Sequence, residues 1–290
     1  MKIIGTGLSG LVGSRVVELL SSSFSFEDLS LDTGVDITHK DIVDARIAAS
    51  DAPWVLHCAA KTDVEGAEKE RTLGSSSSSW IVNVTATQHI VEACRRTQKR
   101  LIYISTDYVF DGTKDAYTEE DTPHPTGWYA VTKYEGEKQV ATLGEQGLIL
   151  RIANPYRAIF PAKPDFVAKI RTKLEQGESM QSPVDQIFVP TFIDDIGRAI
   201  EKLIVLEASG VYHAVGSDAL SPYDAAGLIA RTFSQDESKI IPTTFQEYFQ
   251  GLAPRPFRAA LKNDKISKFG GRMSTFAEGL AEVKRQQLTN

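Results

Sequence analysis

Apolar and polar positions fall into blocks along the first half of the chain, and the period of each block predicts its element. Ile3-Ile4 opens a first strand, and Val12 to Leu20 carries the spacing of an amphipathic helix. Asp28 to Leu31 reads as a short second strand ending at Asp32. Pro53 introduces Trp54-Val55-Leu56-His57-Cys58, a continuous apolar run of the kind a strand covered on both faces needs. Trp80 to Arg96 is a long helical pattern, Leu101-Ile102-Tyr103-Ile104 another buried strand, Tyr129 to Leu143 a helix, and Leu148 to Ile152 a strand again. Such alternation implies parallel strands joined by helices that cover both faces of one sheet. The expected fold class is therefore α/β: a Rossmann-type doubly wound parallel sheet with a smaller C-terminal substrate-binding lobe.

The second half is less regular. Phe166 to Gln176, Asp195 to Leu206 and Tyr223 to Thr232 read as helices, and Val211-Tyr212-His213 as a strand. Phe188-Val189 leads into Pro190-Thr191. The expected division is residues 1–153 for a dinucleotide and 154–290 mainly for substrate, with segments near 188–213 returning to the first domain. The serine run Ser75 to Ser79 is expected to be a flexible surface loop whose last serine caps the Trp80 helix.

Composition narrows the partners. The net charge of the 290 residues is −6 and the basic positions are scattered, which argues against nucleic acid or an anionic membrane as partner. No apolar run approaches the roughly 20 residues of a membrane helix. The start, Lys2-Ile3-Ile4-Gly5, lacks a signal-peptide pattern, so a cytoplasmic protein is expected. Cys58 and Cys94, each in an apolar context, read as reduced core residues and not as a metal or redox motif.

Two motifs carry chemistry. The first is Gly7-Leu8-Ser9-Gly10-Leu11-Val12-Gly13, set between a strand and a helix. Its glycines allow a tight turn and a close approach of backbone to a pyrophosphate, and the helix N-terminus offers N–H groups to the anion. The spacing fits G-x-x-G-x-x-G from Gly7, while Gly5, Gly7 and Gly10 fit the G-x-G-x-x-G form, so spacing leaves the register open. Asp32, about 20 positions after the last glycine, is placed to accept the ribose hydroxyls of NAD and to repel a 2′-phosphate. No Lys or Arg directly follows it, which slightly favours NADH over NADPH, although Arg15 is within reach of the phosphate region.

The second motif is Tyr129-Ala130-Val131-Thr132-Lys133. Four-residue spacing on a helix puts phenol and amine on one face. An ammonium beside a tyrosine favours the phenolate, so a lowered Tyr129 pKa suited to proton transfer is expected. Ser105-Thr106-Asp107 follows the strand ending at Ile104, at the carboxyl edge where such sheets bind ligands, and a hydroxyl there can stabilise an alkoxide formed by hydride addition. His57 and His213, inside apolar strands, are expected to be satisfied core histidines; His124, between two prolines, gives no signal.

On these blocks the chain resembles the extended short-chain dehydrogenase/reductase superfamily, and within it the dTDP-4-dehydrorhamnose reductase family. Further matching blocks are Ala59-Ala60-Lys61-Thr62-Asp63-Val64 with Ala67-Glu68, Asn83-Val84, Ser105 to Gly112, Gly136-Glu137, Asp185-Gln186 with Pro190-Thr191, Gly210 to His213 and Arg255-Pro256. The resemblance implies hydride transfer from NAD(P)H to the C4 keto group of a nucleotide-linked 6-deoxysugar, with Thr106, Tyr129 and Lys133 as catalytic residues. It implies cofactor contacts at Gly7, Gly10, Leu11, Val12, Gly13, Asp32, Asp36, Ile37, Ala59, Ala60 and Lys61, besides Tyr129 and Lys133. Thr106, Tyr108, Val109 and Phe110 would form the sugar pocket, with Asn154 and Arg258 as further substrate contacts.

Departures from the family pattern fall on the substrate side. The segment after the Leu148 strand reads Ala153-Asn154-Pro155-Tyr156-Arg157 where family members commonly carry a tryptophan, and is closer to sugar-nucleotide epimerases and dehydratases. Phe188 replaces a glycine and Arg258 an asparagine. Arg15 stands where some members use an acidic residue for a metal-linked dimer, so no such metal is expected; a homodimer remains compatible with the sequence. Against a dehydratase, Asp107 is followed by Tyr108 and not by the glutamate of an Asp-Glu pair. A non-catalytic subunit, like the methionine adenosyltransferase β subunit, is the alternative from a different class.

Overall fold

The computed structural model describes residues 1–160 and 162–289. Strands β1 (Lys2–Thr6), β2 (Ser25–Leu29), β3 (Trp54–His57), β4 (Arg100–Thr106), β5 (Gly147–Ile152) and β9 (Gly210–His213) form one sheet in the order β2-β1-β3-β4-β5-β9. All its pairings are parallel. The chain leaves β1 in one direction to β2 and in the other to β3, so the order reverses at β1 and a crevice opens past the strand ends.

Adjacent residues explain how the sheet is covered. Ile3, Leu56, Ile102, Ile104, Leu148 and Leu150 pack on one face with Val16 and Leu20 of helix Leu11–Leu20 and with Ile196, Ile200 and Leu203 of helix Ile193–Val205. Ile4, Val55, Leu101, Tyr103 and Ile149 turn to the other face, against Val43, Ile47, Ile90 and Cys94. This is the period-2 alternation of a pleated strand, with both faces buried. Each fully buried aliphatic side chain of this kind contributes about 1.5–3 kcal/mol relative to exposure.

The C-terminal lobe has its own core, built by Tyr156, Val167, Phe188, Phe192, Ile229, Phe276 and Leu280. Two small parallel pairs belong to it: β6 (Pro155–Tyr156) with β8 (Thr191–Phe192), and β7 (Met180–Pro183) with β10 (Ile240–Thr243). Helix Ile193–Val205, packed on Leu11–Leu20, and strand β9 connect the second half of the chain to the large sheet.

Three local expectations change. The second strand spans Ser25–Leu29 and not Asp28–Leu31; the chain then turns through Leu31–Thr33, capped by a reciprocal Ser30–Thr33 box. The serine run is not a loose loop. Ser77, and not Ser79, caps the helix: its hydroxyl accepts from the Trp80 N–H at 3.2 Å and from the Trp128 indole N–H at 3.0 Å. Ser79 is buried, because Glu70 gathers Ser78 and the segment folds onto it. The long helix over residues 78–97 widens into a π turn at Ile81–Thr85.

Candidate active site

A cavity of about 710 Å³ starts at the glycine turn and runs along the carboxyl ends of the strands. Gly7, Gly10, Leu11, Val12 and Gly13 form one end, Cys58 and Ala60 the middle, and Thr106, Tyr129, Lys133 and Asn154 the other. The glycines are needed here for shape. Gly7 sits at φ +65°, and a Cβ on it would lie 2.6 Å from the Ala59 nitrogen. A Cβ on Gly13 would fall 2.4 Å from the Gly7 carbonyl oxygen. Helix Leu11–Leu20 has no side-chain cap and no acidic residue in its first turn. Its N-terminal N–H groups and dipole are thus left for an anion, and the cradle fits a dinucleotide pyrophosphate.

Tyr129 and Lys133 occupy one face of helix Trp128–Ala141. The Lys133 ammonium donates to the Ile104 carbonyl at 2.8 Å and lies 3.9 Å from the centre of the Tyr103 ring. Burial pushes Lys133 down to about 7 and carries Tyr129 above the ordinary tyrosine value. The expected lowering of Tyr129 by Lys133 is therefore not seen: loss of water around the phenol raises it, Asp107 and Tyr108 add to the rise, and only the Thr106 hydroxyl pulls the other way.

Behind Lys133, Glu137 forms a doubly hydrogen-bonded ion pair with Arg151 of β5, at 2.9 and 2.7 Å, with both side chains almost fully buried. The pair ties the tyrosine-bearing helix to the sheet. His213 closes the cluster, 3.4 Å from Arg151 and 3.1 Å from the Lys262 carbonyl. His57 lies between the hydroxyls of Thr6 and Thr87 at 2.6 and 3.0 Å. Both histidines are satisfied core groups, held down to about 3 by burial.

A second cavity, of about 300 Å³, adjoins the first. Asn154, Phe166 and Lys169 line both. Asn154 holds φ +41°, an uncommon conformation for a residue with a side chain, at the junction of the two. Asp107 closes one part of the smaller cavity; it is buried, one carboxylate oxygen has no hydrogen-bond partner, and burial pushes it up to about 7. Its other oxygen accepts from the Thr106 hydroxyl at 3.0 Å. Tyr248, Phe249 and Phe188 supply aromatic walls, Gln181 and Gln186 amides, and Lys169 and Lys173 two cations one helical turn apart.

Other residues singled out by the sequence lie elsewhere. Val109 and Phe110 are fully buried in a separate apolar cluster, where Phe110 stacks on Tyr117; the turn Asp107–Val109 leaves Tyr108 to line the smaller cavity. Arg258 is exposed, pairs with Asp115 and lines neither cavity. Asp32 is exposed on the turn after β2 and Asp36 is engaged with Thr38; neither they nor Ile37 line the large cavity. Ala59 backs the Gly7 turn. The Lys61 ammonium turns to Ser78 and Glu70. Arg15 does not reach the phosphate region: it forms a fork onto Asp194, 2.7 Å at each contact. The smaller cavity's Phe166, Lys169, Lys173, Tyr248 and Phe249 escaped the sequence reading. The spacing of the two lysines was a usable signal; Tyr248-Phe249 offered none.

Comparison with known proteins agrees with this geometry. The sequence matches the family described as the RmlD substrate binding domain over residues 1–288. It is 32% identical to dTDP-4-dehydrorhamnose reductase of Aggregatibacter actinomycetemcomitans, over 98% of each chain. It is 28% identical to methionine adenosyltransferase 2 subunit beta of Xenopus laevis, over 79% of this chain and 69% of that protein. The crystal structure of dTDP-4-dehydrorhamnose reductase from Bacillus anthracis in complex with NADP superposes with a TM-score of 0.89 at 27% identity, covering 98% of this chain and 99% of that one.

Proposed function

The chain belongs to the RmlD substrate binding domain family, and from that premise we propose that it is an NAD(P)H-dependent reductase of a nucleotide-linked 4-keto-6-deoxysugar, of the dTDP-4-dehydrorhamnose type. The observation that carries this reading is the placement of Thr106, Tyr129 and Lys133 where a dinucleotide-shaped cavity meets a second cavity with aromatic walls and paired cations. Residues 1–153 would hold the cofactor and most of 154–290 the substrate.

When bound, NAD(P)H supplies the hydride to the carbonyl carbon. Tyr129 donates its proton to the carbonyl oxygen as that carbon becomes tetrahedral, completing the alcohol. The Thr106 hydroxyl, whose one proton goes to Asp107 in the structure, would turn it to the same oxygen to polarise the carbonyl. Lys133, fixed by the Ile104 carbonyl, supplies charge beside the phenol and a donor for the cofactor's ribose. Tyr108 and the Asn154 amide would orient the sugar, while Lys169 and Lys173, facing the smaller cavity, would meet the diphosphate. The absence of a cation immediately after Asp32 favours NADH over NADPH. The free Cys58 and Cys94 fit a reducing, cytoplasmic setting, and among the described residues no helix is long and apolar enough to cross a membrane.

The test is oxidation of NADH and NADPH by the purified protein with dTDP-4-dehydrorhamnose generated in situ. Turnover with that sugar supports the reading. Dinucleotide binding without turnover would favour the second reading, a non-catalytic subunit, which the similarity to the Xenopus protein makes concrete.

A further inference from the structure

Outside the groups already assigned a role, one largely covered cation, Arg255, joins the two halves of the site. Arg255 directly precedes Pro256, which forms part of the smaller cavity's wall. Its guanidinium donates to Glu65 at 2.5 Å and to the Ala253 carbonyl at 2.7 Å. Glu65 in turn accepts from the Ala253 N–H at 3.1 Å, so one carboxylate holds both the arginine and its backbone. Glu65 sits on the short helix Val64–Lys69, shortly after Ala60 and Thr62, which line the large cavity.

The other side of the guanidinium meets substrate-cavity walls. It stacks over the Phe249 ring at 4.7 Å and interacts with the Tyr108 hydroxyl, which burial pushes up to about 12 and Arg255 draws the other way. Tyr108 packs edge-on against Tyr129 with ring centres 5.9 Å apart. The neighbouring backbone has little freedom. A Cβ on Gly112 would lie 2.4 Å from the Phe257 nitrogen, and one on Gly127, ahead of the tyrosine-bearing helix, 2.8 Å from the Pro254 carbonyl oxygen.

We propose that Arg255 is a positioning residue for substrate: anchored by Glu65, it fixes Tyr108 and Phe249 as parts of the smaller cavity's wall. The inference rests on the nucleotide-sugar reading for the identity of the ligand. A planar fork is required, because the same group makes hydrogen bonds in its plane and stacks through its face. Lysine keeps the charge and loses the fork.

The experiment compares wild type with Arg255→Met, Arg255→Lys, Glu65→Gln and the Arg255→Met/Glu65→Gln double variant. It reads KM and kcat for the ketosugar, and the dissociation constants of dTDP and NADPH by calorimetry. Arg255→Met is expected to raise KM and weaken dTDP by about tenfold, with kcat and NADPH affinity within about threefold of wild type. Arg255→Lys falls between, and the double variant is no worse than Arg255→Met, because the two residues act as one unit. KM and dTDP affinity unchanged in Arg255→Met would overturn the proposal. If that variant does not fold, Glu65→Gln decides in the same way, since Glu65 is more than a third exposed and its loss leaves the core intact. Wild type that binds dTDP without reducing the ketosugar would remove the proposed function and leave this inference standing; wild type that does not bind dTDP would overturn both.

Discussion

The two cavities meet at Asn154 and are built in different ways. The larger is lined at one end by six residues of the turn from Gly7 to Gly13, in its middle by residues at or just beyond the ends of β3, β4 and β5, and further by Tyr129, Lys133, Asp165 and Lys169. Parallel strands in fixed register bring the turn and the strand ends together, so that side of its shape follows from the sheet. The smaller draws Asp107, Lys169, Gln181, Phe188, Tyr248 and Pro256 from segments that share no sheet. Its shape depends on side-chain packing and on ties such as Glu65–Arg255. A cofactor common to many enzymes is thus met by main chain, and a particular substrate by replaceable side chains.

The sharpest test of the boundary between them is Tyr129→Phe. Turnover is expected to fall by about two to four orders of magnitude, as for loss of a general acid, with NADH affinity preserved. Unchanged turnover would remove Tyr129 from the chemistry.

Rigidity under the larger cavity is tested next. Glu137→Leu strands the buried Arg151 guanidinium without its partner, and should cost about 3–5 kcal/mol of stability in denaturant unfolding. A loss under about 1 kcal/mol would show that the pair does not fix the helix to the sheet.

Asp107 gives a prediction with a defined sign. Its carboxyl is pushed from 3.8 to about 7 in the folded protein. Between those values the folded state keeps a proton that the unfolded state releases, so stability falls as pH rises from about 4 to about 7. Asp107→Asn should abolish that decline and raise stability at pH 8 by on the order of 2–4 kcal/mol. Parallel pH-stability curves for the two proteins would contradict the burial argument.

On the substrate side, Phe249→Ala should raise the ketosugar KM by about tenfold, the scale of one lost aromatic contact, and leave cofactor affinity alone. An equal effect on both ligands would mean that the cavities are not separate in function. The smallest effect is expected at Asp32. Asp32→Ala should move the NADPH-to-NADH preference toward NADPH by a few-fold, and an unchanged ratio would show that the exposed carboxylate does not select the cofactor.

The same contrast explains what could be read from the sequence. Ile3-Ile4, Trp54 to His57, Leu101 to Ile104 and Leu148 to Ile152 announce themselves because strands buried on both faces need unbroken apolar runs. β2 pairs with β1 alone at the edge and carries Ser25, Glu27 and Asp28, so its pattern is weak and its expected position was too late. The glycine turn and the Tyr129–Lys133 pair are local in sequence and were legible. Val109 and Phe110 look like pocket residues beside Tyr108, but the turn at Asp107–Val109 sends them into the core. The Tyr129 ionisation was misjudged because spacing gives the neighbour's charge and not the burial of both groups. Tyr248 and Phe249 reach the cavity through packing of distant segments, which no local pattern records.

The most direct test of the account is the fate of the hydride. Wild type, supplied with NADH or NADPH deuterated at either face of nicotinamide C4, is predicted to place deuterium from one face on C4 of the nucleotide-linked sugar, read by NMR of the product, and Tyr129→Phe to form almost none of it. Cofactor oxidation that leaves the sugar unlabelled, or label transfer that persists in Tyr129→Phe, would contradict the account.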